Sequence, residues 1–336
     1  MARRSLMAVL VAMAPIAFAE RIEPPLEMLH DSANLLMAGT ATEINVAASR
    51  VVFERKALLS GNSVFVTQDD IEVLVPPNAL EKVVIGKDYV FGYTLFHEDP
   101  RHPGRLIGKR QGATLLVAPG LEPALFADTP ALRHLIEMGV DEKAHESHAL
   151  LALLLQALAG SDQVMQNLAA NELAMNAKLR NQLGGREREA ITQFVRNSAA
   201  STLGRTALLE AAALHPASFG AGWAMDTAAQ LLATAPTAGF TDQTSDRETL
   251  MRTALLLFDQ TATVTLPAAT LQRWLRSDSQ ALVEPALRLV VRQGPADARK
   301  AIEQAAVDRA TPQQTRIFLR GYLRRMSEVD PAHKVG

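Results

Sequence analysis

Between Leu35 and Val117 the apolar residues come in short alternating or continuous runs, broken by Gly, Pro, Asn and Asp. Alternation of apolar and polar positions is the period of a half-buried strand. Gly61-Asn62 and Pro76-Pro77-Asn78 supply the turn chemistry between runs. This pattern predicts a small all-β barrel or sandwich. The predicted strands are Leu35–Val46, Val51–Leu58, Ser63–Thr67, Ile71–Val75, Tyr89–His97 and Ala113–Val117.

Beyond Thr129-Pro130 the apolar positions recur at spacings of three and four, as in Leu150, Leu151, Leu154 and Leu158. This is the period of a helix that buries one face. Thr129 can cap the first of these helices, and Pro130 suits its first turn. The spacing of the breaks predicts roughly ten helices of about ten to eighteen residues, with short connections that favour antiparallel neighbours. The breaks are Gly160-Ser161-Asp162, Gly184-Gly185, His215-Pro216, Ala235-Pro236, Pro267, Gly294-Pro295 and Thr311-Pro312.

Two helical segments, 161–173 and 278–290, share a polar start and a similar spacing of small and apolar residues. Each resembles the second helix of a HEAT-type repeat, in which small residues let paired helices approach closely. The resemblance implies helix pairs that repeat about every forty residues and bury their apolar faces by stacking. Pro285 departs from the pattern, because it stands where the family has a small residue. The alternative is an irregular all-helical bundle.

The segments 35–44, 51–61 and 85–91 follow one another as a strand, a second strand and a Gly-x-x-Tyr strand. This succession resembles the OB barrel of the netrin and metalloproteinase-inhibitor type. Inhibitors of that family chelate zinc through an N-terminal cysteine, whereas this chain has no cysteine. The resemblance therefore implies the fold without the inhibitory mechanism. We predict a multidomain α+β protein, with an OB-like β-domain at 20–125 and a HEAT-like helical domain at 129–330.

The first nineteen residues have the order of a secretory signal peptide. Arg3 and Arg4 precede an apolar run from Leu6 to Phe18, which ends in small residues before Glu20. The run is too short to span a bilayer as a helix. We predict cleavage between Ala19 and Glu20 and a location in the bacterial periplasm, with release outside the cell as the alternative.

Charge and composition exclude several classes of protein. The formal net charge is −2, and loss of Arg3 and Arg4 with the signal peptide makes it −4. Nucleic acid is therefore not an expected partner, because its phosphates require clustered positive charge. The absence of cysteine excludes thiolate zinc sites and thiol catalysis. No apolar run of the mature chain approaches a membrane span, and we expect no cofactor.

Histidines are the first candidates for a metal site. His145 and His148 are three residues apart on a predicted helix, so they share one face. With His134 or Glu137 from the preceding helix they could supply three zinc ligands. The i, i+3 spacing differs from the i, i+4 spacing of the metalloprotease helix. The alternative is that His148 borders the core one turn before Leu151.

The last predicted helix, 312–326, separates its residues into two faces. Leu319, Tyr322, Leu323 and Met326 form an apolar stripe. Guanidinium groups line another face, and they suit carboxylates and phosphates of a partner. These partner-binding candidates are Arg316, Arg320, Arg324 and Arg325. The alternative is a solvated face of a terminal helix.

The sequence favours a non-catalytic protein of the cell envelope that binds another protein on its helical surface. It contains no Gly-x-Ser-x-Gly elbow and no phosphate-binding glycine loop with a lysine. Two alternatives remain open. One is a metal-dependent or other hydrolase of the envelope, and the other is a protein that binds envelope polysaccharide through its barrel.

Overall fold

The structure is a computed structural model, and it describes residues 23–31, 34–61, 63, 69–98, 106–108, 114–116, 123–140, 148–220, 222–240, 245–261 and 264–329. The predicted signal peptide and its cleavage site lie outside these residues. A β region comes first and a helical region follows, so the α+β organisation is confirmed. Among the described residues, no helix is both long and apolar enough to cross a bilayer.

Five of the predicted strands form where alternation indicated them. They are β1 (Asn34–Asn45), β2 (Arg50–Ser60), β3 (Asp70–Leu74), β4 (Asp88–Glu98) and β6 (Thr114–Leu116). The predicted strand at 63–67 lies outside the described residues except for Ser63. Two further strands, β5 (Leu106–Gly108) and β7 (Leu125–Ala127), have only three residues each, too few to show a period.

The strands pair in the order β1-β2-β3-β6-β4, and β4 also pairs with β1. All of these pairings are antiparallel except that between β3 and β6, which is parallel and joins only two residue pairs. β5 and β7 both add to β4. The inner face buries Phe53, Phe91 and Tyr93, and the Phe53 and Phe91 rings stack with their centroids 4.2 Å apart.

Helices outside the helical region are short: α1 (Pro25–His30) precedes the first strand, and α2 (Pro77–Leu80) connects β3 to β4. From residue 130 onward the described chain forms ten helices of 11 to 17 residues, which confirms the predicted helical period. These helices are α3 (Pro130–Val140), α4 (His148–Ala159), α5 (Gln163–Met175), α7 (Gly185–Arg196), α8 (Thr202–Leu214), α10 (Trp223–Thr234), α11 (Asp246–Gln260), α13 (Gln280–Gln293), α14 (Pro295–Val307) and α15 (Gln313–Val329).

Three shorter helices, α6 (Ala177–Arg180), α9 (Pro216–Phe219) and α12 (Ala268–Trp274), lie between them. The predicted breaks fall at helix ends. Thr129 caps α3, because its Oγ1 accepts the Leu132 amide at 3.2 Å. Asp162 caps α5 in the same way, with its Oδ1 2.9 Å from the Val164 amide nitrogen. These side chains satisfy amides that the first turn of a helix leaves without partners.

Consecutive helices pack as five hairpins: α4 with α5, α7 with α8, α10 with α11, α12 with α13, and α14 with α15. The first helices of the hairpins form one layer and the second helices form another. Along the second layer, α5, α8, α11 and α13 each contact the next. Both segments compared with the second HEAT helix, 161–173 and 278–290, contribute second-layer helices, α5 and α13.

The outer face of the sheet and the hairpins share one apolar cluster, which is separate from the cluster on the inner face of the sheet. Leu26 and Leu29 of α1, with Leu36 and Val90 on the outer face of the sheet, belong to a buried cluster that continues to Leu319 in the last helix. α1 contacts β1, α3 and α5. It therefore lies between the sheet and the first hairpin, and its six residues are too few for a sequence period to reveal it.

Candidate docking surface

Buried polar side chains join the second-layer helices near their first turns. The Ser201 amide before α8 donates to Gln166 Oε1 on α5 at 2.7 Å. Ser279 Oγ before α13 donates to Glu248 Oε1 on α11. Thr315 Oγ1 on α15 donates to the Ser277 carbonyl at 2.6 Å. Each bond satisfies a polar group that burial would otherwise penalise, so the bonds fix the order and register of the stack.

Two buried arginines also act within the stack. Arg205 Nε on α8 donates to the Val195 carbonyl at 2.8 Å, and Arg180 Nη1 donates to the Ala174 carbonyl at 2.5 Å. Burial lowers the pKa of both guanidinium groups from their ordinary value. Their carbonyl partners lie at helix ends, where the last turn leaves acceptors unpaired. These arginines therefore hold the stack together and are not available to a partner.

Two further polar bonds link a second-layer helix to the one before it. Thr253 Oγ1 on α11 donates to Glu210 Oε1 on α8 at 2.8 Å. Arg288 Nε on α13 donates to Asp259 Oδ2 on α11 at 2.7 Å. In both bonds the donor is on the later helix and the acid is on the earlier one. These bonds link α8, α11 and α13 side by side.

The last helix departs from this arrangement. Leu319 is buried on α15, and Tyr322, Leu323 and Met326 are partly buried against the core, as the apolar stripe predicted. The arginine candidates lie elsewhere on the helix: Arg320, Arg324 and Arg325 are exposed, whereas Arg316 is half-buried. Arg320 Nε donates to the Ala306 carbonyl of α14 at 3.3 Å. The four candidates therefore do not form one uniform row.

Among the residues whose side chains the structure describes, no acid forms an ion pair with these four arginines or with Arg309 in the preceding turn. Arginines nearby do: Arg276 pairs with Asp308 at 3.0 Å and Arg299 with Glu303 at 2.9 Å. Like charges four residues apart destabilise a helix by about 0.2–0.5 kcal/mol per pair. Arg316, Arg320 and Arg324 follow one another at this spacing, so their mutual repulsion carries a small cost.

Two exposed apolar side chains lie beside these charges. Ile317 on α15 is 61% exposed and Val307 at the end of α14 is 67% exposed. Arg320 and Arg324 share the face of Ile317, because they follow it by three and seven residues. The bond from Arg320 to Ala306 places this face beside Val307. We call Val307, Ile317, Arg320 and Arg324 the terminal patch.

The histidine candidates do not come together in the part of the chain that the structure describes. His148 is exposed at the start of α4, and His134 is exposed on α3, with its Nδ1 3.9 Å from Glu137 Oε2. His145 lies outside the described residues. Within the described ranges, no three His, Asp or Glu side chains are placed to hold a metal ion.

A groove of about 620 Å³ opens between α12, α14 and the end of α13. It forms because α12 has only seven residues and does not fill its place in the first layer. Leu266, Leu271 and Val290 line its floor, and Asp297 and Lys300 lie on its α14 wall. Its volume falls in the range of small-ligand pockets. Sequence periodicity gave no sign of it, since a gap between helices depends on how they stack.

Sequence reasoning also missed the junction at α5. Glu172 is fully buried, and its Oε2 accepts the Leu26 amide of α1 at 2.9 Å while its Oε1 accepts Asn176 Nδ2 at 2.9 Å. A glutamate within an otherwise apolar and amide-rich helix was the only available sequence signal.

No protein-family model, curated protein or solved structure matches this chain.

Proposed function

We propose that this protein is an exported, non-catalytic scaffold of the bacterial periplasm that docks a protein of the cell envelope on its helical surface. The observation that supports this proposal is the stack of five hairpins in two layers, which leaves an extended face of α8, α11, α13 and α15 exposed. Stacked helical pairs present extended surfaces of this kind to other proteins.

Two finer assignments belong to the same proposal. We infer that the hairpins are HEAT-type repeats, because second-layer helices begin at residues 163, 202, 246, 280 and 313, near the forty-residue period of such repeats. We infer that the β region is a partly open OB-type barrel. Five of its strand pairings lead from β1 through β2, β3, β6 and β4 back to β1, and the β3–β6 pairing is the shortest of them.

Export is supported by the signal-peptide order of residues 1–19, with cleavage proposed between Ala19 and Glu20. In the periplasm the protein must be stable without disulfides, because it has no cysteine. A core that runs continuously from α1 to α15 provides that stability without disulfides.

The test is site-specific photocrosslinking of the full chain in living cells. A photoreactive residue replaces Leu214, which is 69% exposed at the end of α8, or Arg252, which is exposed on α11. The matched control replaces Val46, which is 74% exposed in the turn between β1 and β2. We expect both helical positions to capture the same envelope protein, and the purified pair to bind in solution.

The control position is expected to capture that protein weakly or not at all. Capture only at Val46 would assign binding to the β region and refute the proposed docking surface. Absence of any specific adduct at both Leu214 and Arg252 would refute the scaffold function.

A further inference from the structure

We infer that the terminal patch binds an acidic, amphipathic segment of the partner protein, with carboxylates against Arg320 and Arg324 and an apolar side chain against Ile317 and Val307. This inference rests on the proposed docking function and names the chemistry of the occupant. It follows from charge complementarity, because the arginines of the patch lack acidic partners among the described residues while those of neighbouring helices have them.

The direction of the cross-helix bonds supports an acidic occupant. On the second layer, Thr253 and Arg288 donate to acids on the preceding helix, namely Glu210 and Asp259. A further helix packed on α15 in the same way would donate hydrogen bonds to α15, and α15 would have to supply an acid to accept them. The helix α15 instead carries four arginines, and its single acid, Glu328, lies one turn after Arg324, near the end of the helix. An occupant that binds Arg320 must therefore supply its own carboxylate.

The charge of α15 disfavours a two-fold dimer of this chain through this helix, since two arginine-rich α15 faces would repel one another. A separate protein with an acidic segment meets the patch without that repulsion. The apolar residues fit this occupant as well. Ile317 and Val307 lie among guanidinium groups, which is the arrangement of an interface with an apolar centre and a charged rim.

The experiment uses the full mature chain and a defined probe. The probe is a labelled helical peptide of about twenty residues, close to the length of α15, with leucine on one face and glutamate flanking it. A matched peptide carries glutamine in place of every glutamate. Binding is followed by fluorescence anisotropy at about 50 mM and 300 mM salt, because screening weakens exposed ion pairs.

We expect the acidic peptide to bind and the glutamine peptide to bind at least about tenfold more weakly. The double variant Arg320→Glu/Arg324→Glu should weaken binding of the acidic peptide by about tenfold or more. The control variant Lys87→Glu/Arg186→Glu makes the same change in net charge. Both side chains are exposed, and they lie in the turn before β4 and on α7, away from the docking surface, so its binding should stay within about twofold of wild type.

Folding is checked by circular dichroism and thermal unfolding. Because Arg320 bonds to Ala306, the single variant Arg324→Glu serves if the double variant fails to fold. Equal binding of the two peptides, or equal weakening in the control variant, would overturn the inference.

Two further measurements test whether the terminal patch has a different occupant. Arginine-dependent binding to phosphatidylglycerol vesicles without peptide binding would assign the patch to a membrane surface and overturn a protein occupant. Self-association in light scattering that the double variant abolishes would assign it to a second copy. If adducts at Leu214 persist while the peptide does not bind, this inference fails and the scaffold function stands.

Discussion

Replacing Glu172 with alanine tests whether the sheet and the hairpins are held together as one body. Glu172 lies on α5 in the first hairpin, and Leu26 lies on α1 beside the sheet. Their hydrogen bond, 2.9 Å from amide nitrogen to Oε2, joins residues 146 positions apart. Asn176, which caps α6, donates to the other carboxylate oxygen.

The expected cost follows from burial. Glu172 and Leu26 are both 0% exposed, so water cannot replace the lost acceptor. A buried donor left without a partner costs about 1–3 kcal/mol, and the substitution strands two donors. We expect Glu172→Ala to lower the free energy of unfolding by about 3–5 kcal/mol, a large part of the roughly 5–15 kcal/mol that holds a typical protein together.

Urea unfolding measures this loss, and hydrogen exchange locates it. Protection of the Leu26 amide should fall in the variant, while protection of Phe91 in the sheet interior should change less. The matched control is Glu210→Ala, because Glu210 is exposed and its Oε1 accepts a hydrogen bond from the Thr253 hydroxyl. The control should cost less than about 1 kcal/mol. A loss below about 1 kcal/mol for Glu172→Ala, with the Leu26 amide still protected, would refute the reasoning.

Two further predictions concern the sheet. Gly39→Ala would place a Cβ 2.6 Å from the Glu54 carbonyl oxygen, which is backbone and cannot move aside, so it should destabilise the protein by about 2 kcal/mol or more in thermal unfolding. Gly185→Ala is its control: a Cβ there meets nothing within 4 Å, and stability should stay equal or rise by up to about 1 kcal/mol. Burial raises the pKa of Tyr93 to about 12 from an ordinary 10.0. The neutral phenol therefore stabilises the fold below pH 10, and this contribution should be lost as the pH rises from 10 to 12. Absorbance at the tyrosinate band should show ionisation of Tyr93 near pH 12, and Tyr93→Phe should lack that ionisation. Ionisation of Tyr93 near pH 10 in the wild type would contradict the burial of its phenol.

Local periodicity revealed most elements of the fold. Strands such as β1 and helices such as α13 bury one face along many residues, and that repetition is visible in one sequence. Some short elements, such as β7, α1 and α12, show too little repetition and were not predicted, although the short strands β3 and β6 were. Their positions depend on contacts with distant residues, as α1 shows through Glu172.

The candidate site was predictable in part. The separation of Leu319 from Arg320 and Arg324 follows from helical spacing alone. Exposure of Ile317 could not be predicted, because an isoleucine at that spacing could equally face a neighbouring helix. The lack of acids beside the arginines could not be predicted either, since ion pairs join residues far apart in sequence, as Arg288 and Asp259 do.

The sequence by itself determined where strands give way to helices, where Thr129 and Asp162 cap them, and which faces are apolar. These properties depend on residues within a turn or two of one another. The tertiary structure alone decided which helices stack, that α1 joins the sheet to α5, and which arginines remain without acids. Those outcomes depend on burial and charge pairing between distant segments, and their free energies exist only once the chain has folded.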